Sequence, residues 1–497
     1  MFEFNRAASA LPGFALLVCA LPASGAEPAT TAPQACQSAI GNPGGGAADF
    51  KVTRAQSRAQ PGSVNVCDVT ARLESGSSFR VSMPANGWNG ALAEARCGPE
   101  CRQSPERLCD SVVARGYACF AGAPASTDVA HASLVAARSI VSAHYHVSPR
   151  AAVLLSCSAG AGTALQQAAE FPTDFQGIVA GAPVLDDDAD RRRLRWMADT
   201  LRTSRGKPLL SPDDLARLHA RALAACDAKD GLEDGLISDP LRCQVPIRAL
   251  QCAQDDALVG DRTRAATCLR REQVEAVARL YAGPPDDPAS GVLPGSELGW
   301  ALLVGSVGRP AARPSALERV PPDLREFAAA GGKLLLFQGL ADTRVAPRQT
   351  AEMYERYTRT LGGPVKATGY LRLFMVPGMA HCGGGDGPYQ VDFLRGIENW
   401  TVNARRAPDD LIAFRPRSST AVNGSLFAPA AVDPAQNVFS SWQVGVTVTL
   451  AESRDQPHAS FSRPLYVYPV HTHYKGVGDP DFWRSFYGPY DYPYLLK

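Results

Sequence analysis

Short apolar stretches recur along the chain, and each has the length of a buried β-strand. These stretches lie at 91–95, 116–121, 151–155, 175–183, 333–337 and 370–376. Polar and apolar residues also alternate at 64–69 and 79–83, which predicts half-buried strands. Helical spacing at 133–146 and 163–170 separates several of the apolar strands. Strands and helices that alternate in this way predict an α/β fold with a largely parallel sheet.

The strand pattern is interrupted in the middle of the chain. After residue 185 no strong parallel-strand signal returns until 333, and the stretch between carries helical patterns and Pro/Gly-rich turns. We therefore predict a core domain formed by residues 36–185 and 332–497, with an inserted, mostly helical lid domain at 186–331. The segment 427–497 is rich in Pro, Tyr and Trp, and we expect it to wrap around the core.

Length and charge restrict the class of protein. The chain has 497 residues, of which 45% are apolar, enough for two or three domains or for one large domain with an insertion. A formal net charge of +1 gives no indication of a nucleic-acid partner. Beyond the N-terminus no apolar run reaches the roughly 20 residues that span a bilayer, so we expect no membrane partner.

The N-terminus has the pattern of a secretory signal peptide over residues 1–26. Arg6 supplies the charge, an apolar region follows, and Ser24-Gly25-Ala26 is a plausible cleavage site before a linker at 27–35. A lipoprotein signal ending at Cys19 is the alternative, although Val18 is bulky for that position. Cleavage after Ala26 would leave twelve of the 13 cysteines. An even number in a secreted or periplasmic protein favours disulfides.

The turn after the apolar strand at 151–155 carries a candidate nucleophile. Ser158 lies between this strand and a helical stretch, and small residues stand two positions before and after it, at Ser156 and Gly160. A nucleophile elbow needs such a strand-turn-helix context, because the strand and the helix must approach closely to expose the hydroxyl. Ser156 occupies a position where glycine is usual, but it is small enough to be tolerated. The pentapeptide alone is weak support.

Two further residues follow later strands in the order that a Ser-Asp-His triad requires. Asp342 comes just after the strand at 333–337, and His381 comes just after the strand at 370–376. In this order Ser158 would attack an acyl carbon, His381 would transfer the proton, and Asp342 would orient the imidazole. The N–H of Ala159 is the expected first oxyanion donor.

The second oxyanion donor has two candidates in the sequence. The loop Arg96-Cys97-Gly98-Pro99 follows the early strand at 91–95, and Cys97 or Gly98 could donate an N–H, whereas Pro99 has none. A plain disulfide loop is an equally good interpretation of this segment.

Cysteines flank two of the candidate catalytic residues. Cys157 directly precedes the serine and Cys382 directly follows the histidine, so a disulfide between them would hold the elbow against the histidine loop. Two buried free thiols, or Cys157 as the nucleophile, are the alternatives. The second is disfavoured because only the residue at the tip of an elbow faces the substrate.

An acidic loop lies in the predicted lid. Asp227, Asp230 and Asp234 alternate with glycines between Cys226 and Cys243. Carboxylates and backbone carbonyls are ligands that suit Ca²⁺, although the EF-hand spacing is absent. An acidic surface loop is the alternative interpretation.

Together these motifs resemble the tannase/feruloyl esterase family. Further matches are the stretches 177–183, 250–252, 268–269, 294–300, 377–385 and 398–400. The resemblance implies an α/β-hydrolase core with a calcium-binding lid, a Ser158–Asp342–His381 triad and a Cys157–Cys382 disulfide. It also implies the pairs Cys226–Cys243 and Cys252–Cys268. The implied Ca²⁺ ligands are the Asp227, Asp230 and Asp234 side chains and the Leu232 and Leu236 carbonyls.

The chain departs from the family at three places. Ser156 replaces a glycine of the elbow, and Arg96-Cys97-Gly98-Pro99 replaces a glycine-rich oxyanion loop. A C-terminal disulfide is missing, because the matching stretches contain Tyr466 and Phe486-Tyr487. The residues leave open the pairing of the remaining cysteines: Cys36, Cys67, Cys97, Cys101, Cys109 and Cys119.

The hypothesis with most support is a secreted carboxylester hydrolase that acts on a small aromatic ester. Galloyl, feruloyl and chlorogenic esters, or the terephthalate half-ester, are candidate substrates. A non-catalytic binding protein on a hydrolase scaffold is an alternative, and so is a peptidase or acyltransferase using the same triad. Trp300 could line the cleft or belong to the lid core. His144/His146 and His471/His473 could bind zinc or simply be hydrogen-bonded histidines.

Overall fold

The computed structural model describes residues 36, 49–59, 65–96, 105–124, 126–253, 268–305, 323–416 and 460–489. Its main element is a nine-stranded sheet. The strands are β1 Phe50–Ala59, β2 Asn65–Leu73, β3 Ser78–Pro84, β4 Ala91–Arg96, β5 Ala118–Gly122, β6 Ala151–Cys157, β7 Gly177–Gly181, β8 Lys333–Gly339 and β9 Leu371–Val376. The signal peptide and the linker predicted at 1–35 lie outside the described residues.

The sheet order is β1-β2-β3-β5-β4-β6-β7-β8-β9. The pairs β1–β2, β2–β3 and β3–β5 are antiparallel. From β5 onwards in this order, every neighbouring pair is parallel. The elbow strand β6 therefore lies near the middle of the parallel part, between β4 and β7. This arrangement confirms the predicted α/β fold.

Helices cover both faces of the sheet. In chain order the helices are α1 Pro105–Val113, α2 Thr127–Tyr145, α3 Ala159–Glu170, α4 Asp187–Thr200, α5 Pro212–Cys226, α6 Arg271–Ala282, α7 Trp300–Gly305, α8 Arg325–Ala329, α9 Pro347–Thr360, α10 Pro364–Ala367 and α11 Phe393–Trp400. Successive residues of β6 point to opposite faces, so Leu154 packs into the cluster under α2 and α3, and Leu155 into the cluster under α1 and α11. Burial on both faces explains why the strand is apolar throughout.

The stretch between β7 and β8 carries helices α4 to α8 and has its own hydrophobic cluster. Trp300 lies at the centre of this cluster with none of its surface exposed. Its indole N–H donates to the Ser296 hydroxyl at 3.1 Å, and its ring contacts Tyr281 edge-on. Trp300 therefore belongs to the core of this insert and does not line a cleft.

The described C-terminal residues form small sheets that lie against the main one. Strands β10 Gln390–Val391, β11 Asp410–Pro416 and β12 Ser460–Tyr466 form one sheet, and β13 His473–Tyr474 pairs with β14 Phe486–Tyr487. Tyr468 N–H donates to the Leu373 carbonyl on β9 at 2.8 Å. Arg463 lies between the Phe461 and Phe486 rings, with its guanidinium carbon 4.1 Å from each ring centre.

Five disulfides connect the described cysteines. They are Cys36–Cys67, Cys109–Cys119, Cys157–Cys382, Cys226–Cys243 and Cys252–Cys268. Cys97 and Cys101 lie outside the described residues. The helices of the described ranges include none that is long and apolar enough to cross a membrane.

Candidate active site

The turn between β6 and α3 holds Ser158 in a backbone conformation that side chains rarely adopt, with φ 58° and ψ −131°. The close approach of neighbouring segments leaves no room for larger residues. A Cβ atom on Gly162 would lie 2.0 Å from the Val184 carbonyl oxygen. The Ser156 hydroxyl, at the position where glycine is usual, donates to the Val179 carbonyl on β7 at 2.8 Å. The sequence Ser-Cys-Ser-Ala-Gly thus forms the sharp turn that an elbow requires.

Three side chains that are distant in sequence meet at this turn. The distance from Ser158 Oγ to His381 Nε2 is 3.0 Å, and His381 Nδ1 lies 2.9 Å from Asp342 Oδ2. Ser158 and Asp342 are buried, and the imidazole is largely buried between them. Both ring nitrogens therefore have a partner, which suits an imidazole that accepts the serine proton on Nε2 and donates from Nδ1 to the carboxylate.

The surroundings of Asp342 favour its ionised form. Burial alone would raise its pKa, but the charge and hydrogen bond of His381 and the N–H groups of Val345 and Arg344 hold the pKa below its usual value. The two N–H groups donate to Oδ1 at 3.0 and 2.7 Å, and Gln338 Nε2 donates to Oδ2 at 3.0 Å. The carboxylate is thus fixed in position by four donors.

The structure describes the first predicted oxyanion donor, Ala159, but not the candidates for the second. Ala159 is the first residue of α3, directly after Ser158, so its N–H belongs to the positive end of that helix. Cys97 and Gly98 lie outside the described residues. Just before them Arg96 pairs with Glu94 at 2.6 Å and donates to Gln167 of α3 at 2.6 Å. This fully buried link joins the end of β4 to the elbow helix, and sequence reasoning did not predict it.

The Cys157–Cys382 disulfide joins the elbow to the histidine loop directly beside the three side chains, with the two Cα atoms 6.3 Å apart. The structure therefore pairs these cysteines with each other, and Cys157 is not a free thiol. The two lid pairs implied by the family resemblance, Cys226–Cys243 and Cys252–Cys268, are also present.

The acidic loop holds its carboxylates close to its own backbone. Asp227 accepts from Gly235 N–H at 2.8 Å, and Asp230 accepts from the Ser238 hydroxyl at 2.5 Å. Asp234 pairs with the buried guanidinium of Arg463. Burial raises the pKa of Asp230 to about 6. In the described part of the chain no three His, Cys, Asp or Glu side chains converge as a ready-made metal site.

The chemistry of the loop nevertheless fits a calcium ion. Three carboxylates and the backbone carbonyls of Leu232 and Leu236 offer only hard oxygen donors within ten residues. The Asp227 and Asp230 carboxylates are buried, and buried charges need a compensating partner. Arg463 supplies one positive charge, at Asp234.

The histidine pairs do not form such a site among the described residues. His471 and His473 face each other with their Nε2 atoms 2.8 Å apart, as a hydrogen-bonded pair. Arg242 donates towards His471 Nδ1 at 3.3 Å.

A strained serine elbow on a mostly parallel sheet, with helices on both faces and an acid and a histidine after later strands, defines an α/β-hydrolase fold. Within this fold the chain belongs to the tannase and feruloyl esterase family, whose sequence profile matches residues 62–308 and 312–487.

Named relatives share about a quarter of the aligned residues. The chain is 27% identical over 343 residues to mono(2-hydroxyethyl) terephthalate hydrolase of Piscinibacter sakaiensis, covering 52% of this chain and 56% of that protein. It is 27% identical over 300 residues to probable feruloyl esterase B-1 of Aspergillus flavus, covering 52% and 55%. These alignments span about half the length of the curated relatives.

Solved structures show the same fold over most of the chain. Feruloyl esterase B from Aspergillus oryzae superposes with a TM-score of 0.68 at 18% identity, covering 92% of this chain and 100% of that one. Tannin acyl hydrolase from Aspergillus niger superposes with a TM-score of 0.61 at 14% identity, covering 92% and 95%. At these identities the likeness concerns the fold.

Proposed function

We propose that the chain is a serine carboxylester hydrolase that cleaves esters of small aromatic acids through an acyl-enzyme. The meeting of Ser158, His381 and Asp342 at hydrogen-bonding distances is the observation that supports this proposal most. The names of the relatives, which include feruloyl esterases and a terephthalate ester hydrolase, favour an aromatic acid as the acyl group.

The geometry supports a definite sequence of steps. His381 Nε2 takes the proton of Ser158 as Oγ attacks the ester carbonyl, and the proton then passes to the leaving alcohol. The carboxylate of Asp342 keeps the other imidazole nitrogen protonated and stabilises the imidazolium. The N–H of Ala159 donates to the oxyanion, an interaction whose loss typically costs about 3–4 kcal/mol of transition-state stabilisation. Water then hydrolyses the acyl-enzyme by the same route in reverse.

The test is hydrolysis of galloyl, feruloyl and chlorogenic esters and of the terephthalate half-ester by the purified chain. We expect Ser158→Ala to abolish turnover and Asp342→Asn to lower kcat by about 10⁴-fold. Ser156→Ala is the matched control, because its hydroxyl donates to the Val179 carbonyl and not to His381. Equal rates for wild type and Ser158→Ala would refute the proposal. Failure of a fluorophosphonate to label folded protein at Ser158 would favour a binding protein instead.

We also propose that the acidic loop binds Ca²⁺ as a structural ion through Asp227, Asp230 and Asp234 and the Leu232 and Leu236 carbonyls. Removal of the ion with a chelator should lower the melting temperature, and added Ca²⁺ should restore it, because an ion bound only by the folded state stabilises that state. Asp227→Asn should abolish the response. Glu233→Gln, an exposed carboxylate in the same loop, should retain it. An unchanged melting temperature after chelation would contradict the proposal.

We infer from the N-terminal pattern and the disulfides that the protein is exported, to the periplasm or out of the cell. Cell fractionation of the full chain, followed by mass determination of the mature N-terminus, would test this. Recovery of uncleaved protein in the cytoplasm would contradict it.

A further inference from the structure

Arg193 is a buried cation on α4 whose side chain contacts the core of the molecule. Only 5% of Arg193 is exposed, although its neighbours Arg192 and Arg195 on the same helix are exposed. Its Nε donates to the Ser290 carbonyl at 2.5 Å. Its Nη1 donates to the carbonyls of Thr343 and Arg344 at 3.2 and 2.9 Å. One guanidinium therefore joins two parts of the insert to the loop that follows β8.

That loop carries the candidate catalytic acid. Thr343 and Arg344 directly follow Asp342, and the N–H groups of Arg344 and Val345 donate to Asp342 Oδ1. Arg193 therefore binds the carbonyl oxygens of the peptide units 343–344 and 344–345. The N–H groups of the same two units donate to the Asp342 carboxylate and orient it. Asp342 in turn holds His381 by Nδ1. Hydrogen bonds and these two peptide units therefore connect Arg193 to the imidazole, all through described residues.

A second contact fixes the same loop from the insert. Gln349, in the first turn of α9 just after the loop, donates to Asp287 at 2.9 Å, three residues before Ser290. The turn 287–290 therefore contacts both the guanidinium and the helix beyond the loop.

Three carboxylates surround the buried guanidinium of Arg193. Burial lowers the pKa of Arg193, and the charges of Asp190, Asp342 and Asp287 offset part of the cost of removing its charge from water. Its Nη2 is buried and has no hydrogen-bond partner. The three hydrogen bonds of this buried guanidinium all end on backbone carbonyls, so its contacts hold backbone in place at a desolvation cost that a surface arginine would not carry.

We propose that Arg193 is a positioning residue for the reaction, through which the insert holds the Asp342 loop and so fixes the orientation of His381. The inference rests on the proposed function, because it assigns Arg193 a role in that reaction. Three hydrogen bonds in series separate Arg193 from the imidazole, so it acts through Asp342 and not on the substrate.

The test compares Arg193→Met, which keeps the length and removes all donors, with Arg193→Lys, which keeps the charge but not the planar fork. Arg192→Met is the matched control on the exposed face of the same helix. Active sites are titrated with a fluorophosphonate, so kcat refers to folded sites only. We expect Arg193→Met to lower kcat by roughly 10–100-fold with KM within about twofold, since small misplacements of catalytic groups have effects of this size. Arg193→Lys should be intermediate and Arg192→Met should match wild type.

A double-mutant cycle with Asp342→Asn separates positioning from a general loss of stability. If Arg193 acts through Asp342, Arg193→Met should change the rate of Asp342→Asn by less than about twofold. An equal loss in both backgrounds, or a lower melting temperature with wild-type kcat, would overturn the inference. Arg193→Lys decides the question if Arg193→Met does not fold, and wild-type kcat in that variant overturns the inference. Ser158→Ala is measured alongside, because its activity would refute the proposed function itself.

Discussion

The Cys157–Cys382 disulfide closes a loop of 225 residues, whereas Cys226–Cys243 closes a loop of 17. In the chain-entropy description a bridge stabilises the folded state by restricting the unfolded chain, with a contribution that grows as 1.5RT ln n. For these loop lengths the contributions are about 5 and about 3 kcal/mol, a difference of about 2 kcal/mol. The bridge beside the active site should therefore stabilise the protein more than the bridge in the insert.

The perturbation is the pair of double variants Cys157→Ala/Cys382→Ala and Cys226→Ala/Cys243→Ala. All four sulfurs are buried, so the cavity left by each substitution is similar and largely cancels in the comparison. The free energy of unfolding is measured by equilibrium urea denaturation, monitored by tryptophan fluorescence and extrapolated to zero denaturant. Because both cysteines of a bridge are replaced together, neither variant contains a newly unpaired cysteine.

We expect the first variant to lose about 2 kcal/mol more than the second, and to lose kcat as well because the elbow and the histidine loop are no longer joined. Equal losses, or a larger loss for the short loop, would refute the reasoning from loop length. Unchanged kcat in the first variant would show that packing alone keeps Ser158 and His381 together.

Three further predictions concern other parts of the fold. Burial alone would lower the pKa of His219, but its hydrogen bond to Glu297 raises that pKa. The His219–Glu297 pair therefore stabilises the protein fully below about pH 6.5, and this stabilisation is lost as the pH rises through the raised pKa. His219→Gln should therefore lower the melting temperature more at acidic than at alkaline pH, and an equal effect at both would contradict this. Burial raises the pKa of Asp190 to about 6, so its ionisation disfavours the folded state above its unfolded pKa. Asp190→Asn should therefore change the melting temperature more favourably above about pH 6 than near pH 4. A less favourable change above pH 6 would show that burial is not the cause of the raised pKa. Gly162→Ala should destabilise the protein by roughly 1–3 kcal/mol or more and lower kcat, because the new methyl group would overlap the Val184 carbonyl, whereas a wild-type melting temperature would show that α3 can shift freely.

The sequence was informative about the sheet because its central strands are buried on both faces. The apolar run at 151–155 corresponds to β6, and the run at 333–337 corresponds to β8. Asp342 and His381 could be predicted to meet at Ser158 because the carboxyl ends of parallel strands lie at one edge of the sheet. The structure brings the three side chains together there.

Features that depend on tertiary contacts were not predictable from the same patterns. The elbow helix begins at Ala159 and not near 163. The low helix propensity of Gly160 and Gly162 favoured the later start, but the close packing of Gly162 against Val184 overrides that propensity. The pairs Cys36–Cys67 and Cys109–Cys119 depend on which elements become neighbours, as where α1 with Cys109 packs on β5 with Cys119, and spacing alone does not determine this. Arg193 gave no signal, since backbone carbonyls accept its hydrogen bonds and these have no sequence signature.

The covalent connection between Cys157 and Cys382 has a consequence for how the chain responds to a protease. Every peptide bond of the insert lies between these two cysteines in sequence, so a single cut there yields two fragments that remain one molecule until a reductant is added. On a non-reducing gel such nicked protein would migrate near the intact chain, and only reduction would separate the piece that carries the serine from the piece that carries the histidine.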